Sequence, residues 1–284
     1  LSDIRPGRWI SGSKLLEPVR TIEQQRLRQD VDMRRCFMAL SLVVLATGCH
    51  PVPDYRRTEP PVVRTPEQIA LDTACPITPS PYLADAKARG SLTVVGIGSS
   101  SMEGIGASAP KYNFVSRLDA ALKAALPGVT VRIINAGIGG QNLPQMIARF
   151  EKDVYANKPS LVILQAGMND ALQGRNADQY RKELQGALND LKAHAVNVAM
   201  MSNQSAGKTG VTTNPSVVQL DLVNKEEAAS RGIPVIDRYT LFKSLQDQGV
   251  NVASTYYIPD ALHANDEGYR LITTCTLRKV FGLK

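Results

Sequence analysis

The chain has 284 residues, of which 43% are hydrophobic and 21% are charged, as in a soluble globular protein with one large or two small domains. Its net charge of +7 is unevenly distributed, because residues 1–48 contribute eight basic and five acidic side chains. The rest of the chain intersperses both signs and forms no basic stripe, which argues against a nucleic-acid-binding protein.

Residues 33–49 have the layout of an export signal. They read MRRCFMALSLVVLATGC, with two arginines, an apolar run too short to span a bilayer, small residues and then Cys49. This stretch resembles a bacterial lipoprotein signal, whose cysteine is lipidated after the preceding segment is cleaved. That pattern prefers Leu three residues before the cysteine, where this chain has Ala46. The alternative is a buried helix of a cytoplasmic protein.

This interpretation divides the chain into four parts. Residues 1–32 are an upstream extension that is not native or is disordered, and residues 33–48 are the signal peptide. Residues 49–90, rich in proline and charge after Cys49, are a lipid-anchor tether and N-terminal segment. Residues 91–284 form the folded domain. The protein is therefore expected at the bacterial cell envelope, lipid-anchored to a membrane and facing the periplasm.

The folded part alternates apolar runs with amphipathic stretches. The apolar runs are nearly continuous in Val, Ile and Leu, which predicts strands covered on both faces: LTVVGI, VTVRIINA, SLVILQA, NVAMMSN and IPVIDRY. Apolar residues spaced by three and four predict the helices NFVSRLDAALKAAL, LPQMIARFEKDVYAN, ADQYRKELQGALNDLKAHA, SVVQLDLVNKEEAASR and NDEGYRLITTCTLRKVF, the last capped by Asn265. This alternation predicts one α/β domain with a five-stranded parallel sheet.

Of the four cysteines, Cys36 lies in the predicted signal and Cys49 is the predicted lipid site, which leaves two for the mature domain. Cys75 and Cys275 stand near opposite ends of the mature domain. In an exported protein such a pair predicts a disulfide, and two buried thiols are the alternative.

The loop after the first strand contains Ser99, Ser100 and Ser101 within GIGSSSMEGIG. It fits a dinucleotide fingerprint poorly, because Ser101 occupies the third small position and the next strand offers no acidic ribose partner. A second sequence, SNQSAGKT, lacks the first glycine of a phosphate-binding loop and is followed by GVTTNPS rather than a helix. We interpret that insert as a surface loop near the site.

A serine nucleophile needs a base, and the chain has three histidines. His50 lies on the tether, and His194 ends an amphipathic helix, where it would cap carbonyls. His263 follows Asp260 by three residues, so the carboxylate can orient the ring and leave its second nitrogen free for a serine proton. A helix-entry turn with polar caps is the alternative for this stretch taken alone.

Glycine-rich or amide-bearing loops follow the second and third strands. INAGIGGQN brings backbone N–H groups close to a ligand, and LQAGMNDAL ends a hydrophobic strand in the amide of Asn169. An oxyanion hole needs donors of these kinds, although each loop alone is an ordinary glycine turn.

The four blocks together resemble the SGNH (GDSL-type) hydrolases, a family of serine esterases and lipases. The Gly-Asp-Ser block matches Gly98 to Ser100, the Asn-x-x-x-x-Gly block matches Asn135 to Gly140, and Gly-x-Asn-Asp matches Gly167 to Asp170. Asp-x-x-His matches Asp260 to His263. The resemblance spans about Ser91 to the C-terminus and implies a three-layer, flavodoxin-like sandwich.

Carried over by position, the resemblance implies that Ser100 is the nucleophile, His263 the general base and Asp260 its orienting carboxylate. The N–H groups of Ser100 and Gly140 and the side chain of Asn169 would form the oxyanion hole. No cofactor and no metal site are expected.

Ser99 stands where the family has Asp, and Ser101 is expected to face the following helix. Tyr256 and Tyr257, just before the Asp-His turn, would line an acyl or sugar pocket or pack in the core.

The sequence therefore predicts an esterase that cleaves carboxylic esters of acylated glycans or lipids through an acyl-enzyme. Its expected partners are a small ester, an acylated polysaccharide or a lipid, and a membrane through the anchor, but no nucleic acid. The alternative is a catalytically inactive envelope binding lipoprotein with the same fold.

Overall fold

A computed structural model of the chain describes residues 63–204 and 214–284. The first half contains α1 (Pro66–Ala74), α2 (Pro81–Arg89), β1 (Ser91–Gly98), α3 (Ser100–Glu103), α4 (Phe114–Ala125), β2 (Thr130–Gly137), α5 (Leu143–Ile147) and α6 (Phe150–Asp153). The second half contains β3 (Leu161–Gln165), α7 (Met168–Leu172), α8 (Ala177–Ala193), β4 (Asn197–Met201), α9 (Pro215–Ala229), β5 (Val235–Ile236), α10 (Arg238–Asp247), α11 (Val252–Tyr256) and α12 (Asp266–Phe281). Short 3-10 turns cover Pro110–Tyr112 and Tyr155–Asn157.

The five strands form one parallel sheet in the order β2-β1-β3-β4-β5, so the predicted α/β fold is confirmed. The order is that of flavodoxin-like proteins, and its direction reverses at β1. Along β1, Val94 pairs with Ile133 of β2 and Leu161 of β3. In such sheets a ligand binds outside the carboxyl ends of the strands at the reversal, which here is the end of β1 beside β3.

Helices cover both faces of the sheet, because successive strand residues point to opposite sides. Val94 of β1 and Ile163 of β3 belong to the core that α4 and α12 cover. Val95 and Val162, their chain neighbours, belong to the core that α8 and α9 cover. This two-sided burial explains the continuous apolar runs of the strands and gives the three layers.

Two predicted elements differ in length. The run IPVIDRY is a strand only at Val235–Ile236, because the next residue, Asp237, caps α10 by accepting the Thr240 N–H at 3.0 Å. The stretch LPQMIARFEKDVYAN forms α5, α6 and a 3-10 turn instead of one helix. The break falls at Arg149, whose φ of −116° and ψ of 11° are not helical.

Two helices before residue 91 pack into the same core as the sheet. Thr65 begins α1 with a capping box, in which it and Gln68 bond each other's backbone N–H, and Pro66 takes the first helical position. Cys75, directly after α1, forms the predicted disulfide with Cys275 of α12, with 5.1 Å between the two Cα atoms. The N-terminal segment is therefore covalently joined to the last helix.

Several predictions concern residues that lie outside those the structure describes. These are the upstream extension 1–32, the signal peptide 33–48, the lipid site Cys49 with the adjoining tether, and most of the insert SNQSAGKT. Among the described helices, none combines the length and the apolar character that a membrane span requires.

Candidate active site

The turn after β1 places Ser100 at the carboxyl edge of the sheet. Ser99 precedes α3 in an extended conformation, and Ser100 is the first residue of that helix. Ser99 is 4% exposed, and its N–H and hydroxyl both donate to Gln165 Oε1 at the end of β3, at 2.9 and 3.1 Å. Ser99 thus anchors the turn, Ser101 is buried beside it, and Ser100 is the partly exposed serine.

A short turn before α12 holds Asp260 and His263 together. Asp260 Oδ1 accepts the backbone N–H groups of Leu262 at 2.8 Å and His263 at 2.9 Å. Ala261 between them has a positive φ of 54°, which a residue with a side chain adopts only under surrounding constraint. One such constraint is Gln204, after β4, which donates to the carbonyl of Leu262 at 2.9 Å.

The structure brings the serine and this turn together across 163 residues of chain. His263 Nε2 lies 2.8 Å from Ser100 Oγ, and its Nδ1 lies 2.6 Å from Asp260 Oδ2. The carboxylate therefore engages one ring nitrogen while the other faces the hydroxyl. This is the arrangement in which a neutral imidazole can take the serine proton.

The charge of Asp260 is stabilised by the turn itself. Partial burial raises the pKa of this carboxyl, but hydrogen bonds from the His263 ring and from the backbone N–H groups of His263 and Leu262 outweigh burial. The net effect is a pKa below its ordinary value. The turn thus favours the ionised form of Asp260, whose oxygens accept from the ring and the backbone.

The candidate oxyanion donors come from three loops at the same edge. Gly140 lies after β2 with φ of 77°, a conformation that suits glycine, and Asn169 lies in α7. Asn169 Nδ2 donates to the carbonyl of Gln141 at 2.9 Å, which fixes the plane of its amide. A Cβ built on Gly139 would lie 3.8 Å from Ser100 Cβ, so the glycine loop passes beside Ser100.

Asp170, next to Asn169, has a structural position. It is fully buried and accepts the N–H groups of Leu143 at 3.1 Å and Gly167 at 3.2 Å, and Arg175 lies 3.2 Å away. Burial raises the pKa of this carboxyl, and these contacts oppose the increase. Asp170 thereby joins the loop after β3 to the loop after β2.

Tyr256 and Tyr257 pack in the core and do not line an acyl or sugar pocket, the other position that the sequence left open. Each is 4% exposed, and both rings contact Phe242 of α10. Tyr256 donates its hydroxyl to Glu67 of α1 at 2.8 Å. His194 also follows its prediction, because its ring lies 2.9 Å from the Asp190 carbonyl at the end of α8.

Three residues that support the site escaped the sequence analysis: Gln165, Gln204 and Arg149. Each lies at or just after a strand end or helix end, but a lone glutamine or arginine there has no pattern that distinguishes it from a surface residue. Their function depends on partners far along the chain, which only the fold brings together. Among residues 63–204 and 214–284, no group of three His, Cys, Asp or Glu side chains is placed to hold a metal ion.

The parallel sheet, the serine turn and the Asp-His turn together define an SGNH-type hydrolase fold. Residues 77–261 match the model of the Non-GDSL lipase-like family, and the chain belongs to that family. The matched segment includes Ser100 and Asp260 and ends two residues before His263.

Two curated relatives match parts of the chain. An acetylxylan esterase of Geobacillus stearothermophilus is 37% identical over 57 residues, which cover 20% of this chain and 26% of that protein. The uncharacterized lipoprotein YqeF of Bacillus subtilis (strain 168) is 29% identical over 125 residues, 42% of this chain and 51% of that protein. The chain thus spans at most about half the length of these relatives.

Solved structures share the fold at low sequence identity. A two-domain esterase (CEX) active on acetylated mannans has a TM-score of 0.58 and 22% identity, covering 68% of this chain and 49% of its own. A lipase/acylhydrolase from Enterococcus faecalis has a TM-score of 0.55 and 24% identity, covering 66% and 94%. At these identities the likeness establishes the architecture alone.

Proposed function

We propose that this protein is a serine esterase in which Ser100, His263 and Asp260 form the catalytic triad. The observation that carries the proposal is the continuous contact from Asp260 Oδ2 to His263 Nδ1, at 2.6 Å, and from His263 Nε2 to Ser100 Oγ, at 2.8 Å. Membership of a lipase-like family supports the same reaction class.

In the first half of the reaction, His263 Nε2 takes the proton of the Ser100 hydroxyl as Oγ attacks the ester carbonyl carbon. The carbonyl π pair moves to oxygen, then returns as the bond to the leaving alkoxide breaks. The imidazolium gives its proton to that alkoxide, so an alcohol leaves and an acyl-serine remains. In the second half, water attacks the acyl group in the same way and releases the acid.

Asp260 serves by holding the ring and by stabilising the imidazolium that forms in both halves. Its lowered pKa keeps the carboxylate ionised to a lower pH than an ordinary aspartate. The Asp260→Asn variant should lose activity, because an amide can hold the His263 ring in the tautomer that cannot accept the serine proton. Full activity of this variant would contradict the role of Asp260.

The oxyanion is assigned to the N–H groups of Ser100 and Gly140 and to the second N–H of the Asn169 amide. Ser100 is the first residue of α3, where a backbone N–H has no acceptor within the helix. Asn169 uses one N–H for the carbonyl of Gln141, which leaves the other for substrate. Loss of one such donor costs about 10²–10³-fold in kcat.

We further propose a cell-envelope location with Cys49 as a lipid anchor. The signal-like sequence supports it, as does a relative described as a lipoprotein. In that setting acylated glycans and lipids are the available esters. One relative is named an acetylxylan esterase, and one protein of the same fold is described as active on acetylated mannans. An O-acetylated glycan is therefore the first substrate to examine.

The test uses Ser100→Ala with Ser101→Ala as the matched control, since Ser101 is the next residue and is buried. Rates are measured on p-nitrophenyl esters of increasing acyl length and on acetylated xylan oligosaccharides. We expect Ser100→Ala to lower kcat by at least about 10⁴-fold, leaving what binding and the oxyanion hole supply. Ser101→Ala should stay close to the wild type.

A fluorophosphonate probe identifies the nucleophile directly. Peptide mass spectrometry should find one labelled serine, Ser100, and no label in Ser100→Ala. Labelling of Ser99 or Ser101 would refute the assignment. A folded protein that neither hydrolyses any ester nor takes the probe would instead be the inactive envelope binding lipoprotein.

A further inference from the structure

Arg149 lies at the break between α5 and α6 and reaches three acceptors on separate segments. Its side chain is 12% exposed. Nη2 donates to the carbonyl of Gly98 at 3.2 Å, Nε donates to Gln141 Oε1 at 2.7 Å, and Nη1 pairs with Asp153 at 2.7 Å. A planar guanidinium can serve three such directions, whereas the ammonium of lysine cannot hold them in one plane.

The first acceptor belongs to the turn that carries the nucleophile. Gly98 is the last residue of β1, two residues before Ser100. Its carbonyl also accepts the N–H of Ile138 in the loop after β2, at 3.0 Å. Arg149 and the glycine loop therefore both bind the carbonyl oxygen of Gly98 and so fix the end of β1.

The second acceptor belongs to the loop that carries the oxyanion donors. Gln141 follows Gly140, and its backbone carbonyl accepts the Asn169 amide at 2.9 Å. Arg149 holds the side chain of this same residue. One guanidinium thus joins the nucleophile turn to the residue that connects Gly140 and Asn169.

We propose that Arg149 is a positioning residue that sets the distance between Ser100 and the oxyanion donors. It acts on the reacting groups only through its contacts with Gly98 and Gln141. The inference rests on the proposed esterase function. Because a small misplacement of catalytic groups can cost about 10²-fold, its loss should affect the chemical step more than substrate binding.

The experiment compares Arg149→Ala with Arg132→Ala. Arg132 is an exposed arginine on β2 whose guanidinium donates to the side chain of Asn157 at 2.8 Å, so its removal is a matched control. Fluorophosphonate labelling carried to its end point counts the competent Ser100 sites in each sample. The labelling rate and kcat per labelled site then report the geometry of the sites that remain.

We expect Arg149→Ala to lower kcat per labelled site by about 10–100-fold, with KM changed by less than about 2-fold. Labelling should slow in proportion. A cavity of about 180 Å³ adjoins Arg149 between β2 and α6, lined by Asn135, Ile138 and Asp153 among others. Added guanidinium ion should therefore enter and restore part of kcat in Arg149→Ala and not in Arg132→Ala.

A purely structural role would reduce the number of labelled sites and leave kcat per site unchanged, which would overturn the proposal. An equal loss in Arg132→Ala would also overturn it. If Arg149→Ala does not fold, Gln141→Met removes the Nε contact alone and should lower kcat per site by about 3–10-fold. Unchanged activity of that variant would refute the inference, whereas activity in Ser100→Ala would refute the esterase proposal itself.

Discussion

Removal of the Cys75–Cys275 disulfide should cost several kcal/mol of stability. The bond closes a loop of 200 residues. The chain-entropy relation assigns such a loop a loss of about 18 cal/mol/K in the unfolded chain, or about 5 kcal/mol at 25 °C. That value is an upper figure, so we expect Cys75→Ala/Cys275→Ala to lose about 3–5 kcal/mol.

The assay is equilibrium unfolding in urea, followed by fluorescence or circular dichroism, with and without a reductant. For a domain of this size the loss corresponds to roughly 6–20 °C in Tm. The double variant should be insensitive to reductant, whereas the wild type should fall to a similar stability once reduced. Ester hydrolysis at 25 °C should persist in both, because the two cysteines are buried in the core and lie outside the proposed triad.

A loss below about 1 kcal/mol, with the disulfide of the wild type verified by mass spectrometry, would refute this reasoning. It would mean that structure retained in the unfolded state already restrains the chain, or that the bond distorts the native state enough to offset its benefit.

Three further changes test local contacts. Ser99→Asp, which restores the residue typical of GDSL-type proteins, should lower the free energy of unfolding in urea by about 2–4 kcal/mol, because a buried carboxylate would face Gln165 Oε1. Equal or higher stability would contradict this. Gly106→Ala should lose folded yield and kcat, because its Cβ would lie 2.3 Å from the Ala264 carbonyl at a φ of 97°; normal activity would show that the turn adapts. Asn265→Ala should remove the N-cap of α12 and lower the stability by about 1–2 kcal/mol, measured by thermal unfolding. An unchanged Tm would show that the cap does not stabilise the protein.

The strands and the long helices were predictable because their periodicity reflects the core directly. Val94 and Val95 face opposite covered sides of the sheet, so an uninterrupted apolar run marks such a strand. The end of β5 was not predictable in this way, because Asp237 converts an apolar run into a helix cap. Pro66 with a capping box at Thr65 is the local signal that would have revealed α1 inside a proline-rich segment.

The candidate Asp-His pair was predictable from residue type and spacing. The residues that support the site through contacts with distant segments were not. Asp260 and His263 are three residues apart, and a turn suffices to join them. Gln165 supports Ser99 across 66 residues, and Arg149 supports Gly98 across 51. No local pattern encodes those distances, so such supporting residues become visible only in the folded chain.

The covalent bond between Cys75 and Cys275 turns most of the domain into a closed ring. Ser100 and His263 both lie inside that ring, together with every strand of the sheet. A single proteolytic nick anywhere between the two cysteines would therefore leave one molecule, with Ser100 and His263 still covalently joined through the bridge. Such a nicked chain would separate into two fragments only after reduction, so damage of this kind would pass unnoticed on a non-reducing gel.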